Sequence, residues 1–127
     1  MSIADYIVKA AKDESDNFLS EQSGILAVVI ASVDGFDLAS SVSGTLDASR
    51  IAAMASSIAA IGSVVTQEVH IGASKSVTVN TEDGFVYITY LELAGVSHVL
   101  NVIADKSAIL AQVIYRCSET VKRLKSI

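Results

Sequence analysis

From Ile51 to Gln67 the chain carries no charged side chain, and the span is built mostly of alanine, serine, isoleucine and valine. No proline interrupts it, and Thr45 or Asp47 can cap it, so it reads as a helix over roughly Asp47–His70. Two rows recur at helical spacing. One is Ile51, Ala55, Ile58, Ala59, Gly62 and Val65; the other is Ala53, Met54, Ser57, Ile61 and Val64. A surface helix has one apolar stripe and one charged face, and this helix lacks the charged face. Either it is buried centrally, or it packs on its own sheet and on another subunit. A chain of 127 residues has little room to enclose a helix, so the second reading is preferred. It makes Ile51, Met54, Ala55, Ile58, Ala59 and Gly62 candidate interface residues, with Val77 and Val79 of a following strand.

Two Asp-Gly pairs bracket this helix. Leu26–Ser32 is almost continuously apolar, which is expected of a strand covered on both faces. Asp34-Gly35 then supplies a tight turn with positive φ, and about Phe36–Ser41 forms the return strand. Beyond the helix, Ser74–Thr81 alternates, with Val77 and Val79 on one side. Asp83-Gly84 turns the chain, and Phe85–Leu91 carries Tyr87 and Tyr90 on opposite faces. The similarity around the two turns reads as shared turn chemistry. Val96–Ala104 is the last strand.

Helices close both ends. Ile3, Tyr6, Ile7, Ala10, Ala11 and Phe18 form one face over Ser2–Leu19, with Ser2 as its cap. Asp105 or Ser107 is positioned to cap a last helix, whose stripe is Leu110, Val113, Ile114, Cys117, Val121 and Leu124. The order is helix, two strands, helix, three strands, helix, in a single domain spanning residues 1–127.

The net charge of −5 disfavours nucleic acid and anionic membrane surfaces as partners. No contiguous apolar run reaches the length of a membrane span, and the N-terminus has no cleavable apolar core. A lone cysteine, Cys117, allows no internal disulfide, so a reducing, cytoplasmic compartment is expected.

Catalytic signatures are missing. There is no P-loop and no Gly-x-Ser-x-Gly elbow. Cys117 falls within an apolar stripe, as a small core residue would. His70 and His98 lack partners at zinc-ligand spacing. Asp13, Glu14 and Asp16, and the pair Glu82 and Asp83, read as solvated surface. No catalytic residue, cofactor or metal is expected.

Three blocks in order, GILAVVIASVDGFDLAS, SRIAAMASSIAAIG and DGFVYITYLELAGVSHVLNVIADKSAILA, resemble the signature blocks of the roadblock/dynein light chain family. The carriers are Gly24, Asp34 and Gly35 in the first, Ala52, Ala53 and Met54 in the second, and the late strands leading to a helix near Ser107 in the third. The resemblance covers about Ser20–Leu124 and implies an α+β fold with a five-stranded antiparallel sheet flanked by helices. It also implies a homodimer whose sheets can join edge to edge, and a non-enzymatic regulator or scaffold of a small Ras-like GTPase. Alternatives are a small-molecule sensor and a self-assembling structural adaptor. Asp37 departs from the family pattern, as does the scarcity of charge in the central helix.

Overall fold

The computed structural model describes residues 3–127, so the cap expected at Ser2 lies outside the described residues. The elements are α1 (Asp5–Glu21), β1 (Ile25–Ser32), β2 (Asp37–Val42), α2 (Ala48–Glu68), β3 (Ser76–Thr81), β4 (Gly84–Leu93), β5 (Val96–Asp105) and α3 (Leu110–Lys125). The strands form one antiparallel sheet in the order β2-β1-β5-β4-β3. This is the expected α+β architecture, with β2 and β3 at the two edges.

The pleat sorts alternate residues to opposite faces. Val28, Ile30, Tyr87, Leu91, Leu100 and Val102 point to the side covered by α1 and α3, where they meet Ile7, Phe18, Val113 and Leu124 in the main core. Ala27, Val29, Ile88 and Val99 point to the side covered by α2. Tyr87 and Tyr90 therefore do lie on opposite faces. Asn101 is a polar exception on the α2 face, 3% exposed and placed between Val29 and Ile88 of the neighbouring strands.

The α1 stripe is narrower than expected. Ile7, Ala11 and Phe18 are buried, and so is Ser15, whose hydroxyl donates to the Ala11 carbonyl at 2.8 Å. Tyr6 is solvent-exposed. Two ion pairs join α1 to α3: Arg123 grips Glu14 through two bonds of 2.8 Å, and Arg116 reaches Glu21 at 2.7 Å. The Arg116 guanidinium also lies 5.3 Å from the Phe18 ring centre, within cation–π range.

The two Asp-Gly turns differ in chemistry. Gly35 has φ +97°, and a Cβ there would lie 3.3 Å from Ala53 Cα, so this turn needs glycine for its dihedral and for its seat on α2. Gly84 has no positive φ. It is the first residue of β4, and a Cβ there would collide with the Ala104 carbonyl oxygen of β5. The residues between paired Thr81 and Gly84 are Glu82 and Asp83. The expectation of shared turn chemistry is thus corrected: the second glycine serves close strand approach.

Asp47 caps α2, accepting from the Ser49 and Arg50 amides at 3.0 and 3.3 Å. The cap expected for α3 does not form. Asp105 closes its own turn by accepting from the Ser107 amide at 2.8 Å and hydroxyl at 2.6 Å. The helix starts further on, with Ile109 at the cap position and no side-chain cap bond.

Candidate functional site

After Ile51 in its first turn, helix α2 lies on the sheet through small residues. Ile51, Ala52, Ala55 and Ala59 are its buried positions. Further along, Gly62 sits against β3: a Cβ added there would lie 2.9 Å from Val77 Cγ2. Tyr90 of β4 fastens the same stretch. Its hydroxyl donates to the Ala59 carbonyl at 3.2 Å and lies 3.0 Å from Ser63 Oγ, which can donate back to it.

C-terminal to Gly62 the helix has no fully buried residue. Met54, Ile61, Val64 and Val65 are 57%, 65%, 66% and 56% exposed. At 100° per residue, Met54, Ile61 and Val65 fall within about 40° of one another. Ser63 contacts β4 and Gly62 contacts β3, so the turn of the helix from Ser63 through Gly62 leads outward to this apolar row. The row therefore flanks the side where β3 forms the sheet edge. Val69 and Ile71 extend it, at 56% and 74% exposed, and Val79 of β3 is 38% exposed. The central-burial reading of α2 is thus corrected. Only 22% of its most apolar 18-residue window is buried.

That window has a mean hydropathy of 1.5, and by length and composition alone α2 is long and apolar enough to cross a bilayer. The contiguous-run criterion misses this because alanine, serine and glycine break up the larger apolar residues. One side of the helix is packed against the sheet.

The sequence-derived candidates divide. Ile51, Ala55 and Ala59 face the protein's own sheet and are buried. Ile58, Gly62 and Val77 are half-buried at the seam, and Met54 and Val79 are exposed. The structure adds Ile61, Val64, Val65, Val69 and Ile71 to the surface. Ile61 and Val64 are visible in the sequence as members of the second row; Val65 is grouped there with the sheet-facing first row, and its exposure corrects that placement; the signal for Val69 and Ile71 is only their place beyond the rows.

The two sheet edges differ. On β2, the Lys12 ammonium donates to the outward Ser40 carbonyl at 2.7 Å and pairs with Asp16 at 2.9 Å, holding the Asp16 carboxyl below its ordinary value. Lysine at an edge discourages strand pairing. The β3 strand, SVTVNT, has no charged residue.

The remaining chemistry is quiet. Cys117 is 1% exposed, and burial pushes its thiol up to about 12, so it holds its proton and is a poor nucleophile. His70 sits past the end of α2 in the left-handed region at φ 58°. There the Ile71 amide bonds back to the Thr66 carbonyl at 3.1 Å, and the arrangement ends the helix. Among the described residues no cluster of three or more His, Cys, Asp or Glu is positioned to hold a metal.

The sequence model described as "Roadblock/LC7 domain" matches residues 11–104. The chain belongs to the Roadblock/LC7 family. Solved roadblock structures share its fold. A Roadblock/LC7 domain from Streptomyces avermitilis superimposes with a TM-score of 0.79 at 19% identity, covering 98% of this chain and 97% of that one. Myxococcus xanthus MglB gives 0.83 at 15% identity, covering 99% and 92%. An MglB in a tetrameric arrangement gives 0.81 at 16%, also covering 99% and 92%. Curated proteins gave no match. Within this roadblock fold, the Ala-Ala-Met segment has a physical role: Ala52 is buried on the sheet, Ala53 faces the Gly35 turn, and Met54 is exposed.

Proposed function

We propose that this roadblock protein is a single-domain, cytoplasmic homodimer that scaffolds or regulates a small Ras-like GTPase and has no catalytic activity of its own. The observation that carries the reading is the exposed Met54–Ile61–Val65 row of α2 beside an uncharged β3 edge. An apolar row of this kind on a small protein marks an interaction surface. In the dimer, β3 pairs with β3 of a second copy and the two α2 helices lie together over the joint. The Lys12-blocked β2 edge supports the choice of β3. Family membership supports the GTPase as partner, because the roadblock resemblance implies that role. Ile58, Gly62, Val77 and Val79 border the dimer seam. Ile51, Ala55 and Ala59 support it from beneath.

Light scattering at micromolar concentration gives the mass of two chains if this is right; a monomer overturns it. Pull-down with GDP- and GTP-loaded Ras-like GTPases encoded near the gene tests the partner. Capture dependent on the bound nucleotide supports regulation. A dimer that captures none of them is instead a structural adaptor.

A further inference from the structure

We propose that α2 is a hinged lid on the sheet, opening as a unit about Gly44 and Gly72, and that Asn101 beneath it favours the open form. Asn101 carries a buried amide on the α2 face of the sheet, and its Oδ1 has no hydrogen-bond partner among the described residues. Its cross-strand neighbours are Val29 and Ile88. Val29 packs with Ile51 and Ala52, and Ile88 packs with Ala55 and Ala59, so α2 passes over Asn101.

The two faces of the sheet are held unequally. On the α1 and α3 side one continuous core joins Ile7, Phe18, Leu100 and Leu124. On the α2 side Asn101 parts the apolar contacts into two smaller groups. One sets Ala27, Val29 and Ala31 against Ile51 and Ala52; the other sets Ile88 and Val99 against Ala55 and Ala59. Of the buried residues of α2, Ile51 alone has a large side chain. Two ion pairs join α1 to α3, and among the described residues none reaches α2. An element with few buried apolar contacts opens at a lower free energy than the whole molecule unfolds.

Both tethers permit the motion. Gly44 lies between the end of β2 and the start of α2, and Gly72 between the end of α2 and the start of β3. Their φ angles are +63° and +97°, and a Cβ at either would meet nothing within 4 Å, so both can change dihedral without collision. With α2 seated, the Asn101 acceptor is buried and unpaired, which is costly; with α2 lifted, water reaches it. The lifted form also exposes Val29, Ile88 and Val99 and releases the Tyr90 hydroxyl from the Ala59 carbonyl, so it is the minor form. Off the sheet, a helix of 21 residues is marginal in water, and its amides then exchange with solvent. A partner that binds the outer row only on a seated helix shifts the lid towards closure; this last consequence rests on the interaction surface proposed above, and the lid itself does not.

The test is amide hydrogen exchange of the full chain, read by NMR at a series of low urea concentrations, in the native protein and in Ile61→Asp. Residues 52–66 should exchange as one group. Their protection should be at least about tenfold below that of the slowest amides of β1, β5 and α3, with a weaker urea dependence. Asn101→Leu keeps the branching at Cγ and removes the unpaired acceptor, so it should raise the protection of α2 at least about fivefold. Should leucine at 101 not fold, Asn101→Val, with less bulk, should act in the same direction. Asn101→Asp should lower the protection at neutral pH, because a charge takes the place of a neutral acceptor. The Ile61→Asp background separates the lid from the proposed dimer, since a second copy seated on α2 masks opening in the native protein and not there. If α2 amides exchange only with the slowest core amides, at the same urea slope in both backgrounds, the lid is overturned. Unchanged or lower α2 protection in the apolar variants at 101 overturns the part assigned to Asn101.

Discussion

The Tyr90 hydroxyl donates to the main-chain carbonyl of Ala59 at 3.2 Å, fastening the sheet to the middle of an alanine-rich helix that has few large buried side chains. Tyr90→Phe removes this bond and the neighbouring contact with Ser63 while keeping the ring. The expected loss is about 1 kcal/mol, read as a lower urea midpoint with an unchanged slope. An unchanged midpoint would show that the bond contributes nothing net.

Gly62 and Val77 are coupled by space. Alanine at 62 gains up to about 1 kcal/mol of helix propensity, but its Cβ would press on Val77 Cγ2 at 2.9 Å. Gly62→Ala should therefore be more favourable in a Val77→Ala background than in the native one. A double-mutant cycle measures this, with a coupling of at least about 0.5 kcal/mol expected. Simple additivity contradicts the close approach.

The two rows of α2 should respond differently to charge. Ile61→Asp or Val64→Asp should leave the circular dichroism spectrum folded and convert the proposed dimer to monomer. Ala55→Arg places a charge under the helix, where Ala55 is 2% exposed, and should unfold the chain, since an unpaired buried charge costs several kcal/mol. Retention of the dimer by both exposed-row variants would move the interface elsewhere.

Stimulation of a GTPase, if measured, should not use an arginine finger from this chain. Arg116 and Arg123 are held by Glu21 and Glu14, and Arg50 is in the first turn of α2. Each Arg→Ala variant should keep the maximal stimulated rate within about tenfold, against the roughly thousandfold or greater loss of a true finger. A collapse of that size with binding intact would identify a finger.

Asp105 gives a pH signature. The Ser107 hydroxyl, and then its amide, hold the carboxyl below its ordinary 3.8. A depressed folded value means the stabilisation is complete above 3.8 and is lost as pH falls through the folded value. Asp105→Asn should therefore lose less stability than the native chain between about pH 6 and pH 3, as read by urea midpoints. Identical acid losses in both proteins would show that the turn has no linked proton.

Much of this architecture is legible because its causes are local. Alternation, helical spacing, the Asp47 cap and the Gly35 turn each depend on residues close in sequence, and they set the element types and their order. Cys117 is legible as core for the same reason, from its place in a stripe. The caps fare less well where a side chain has a nearer competitor: Asp105 bonds Ser107 and leaves α3 to begin later.

What remained for tertiary structure was the choice among locally equivalent options. Both rows of α2 are apolar, so periodicity alone cannot say which one meets the sheet. Beyond the buried Ile51, the sheet takes Ala52, Ala55, Ala59 and Gly62 because small residues let the helix come close; Met54 and Ile61 of the second row, and Val65 at the far end of the first, are left outside. Likewise, the strand pattern gives no edge. Only the order β2-β1-β5-β4-β3 makes β3 an edge beside that row, while Lys12 reaches from α1 to the opposite edge. Pairings between residues distant in sequence, which no local preference encodes, thus place the candidate surface.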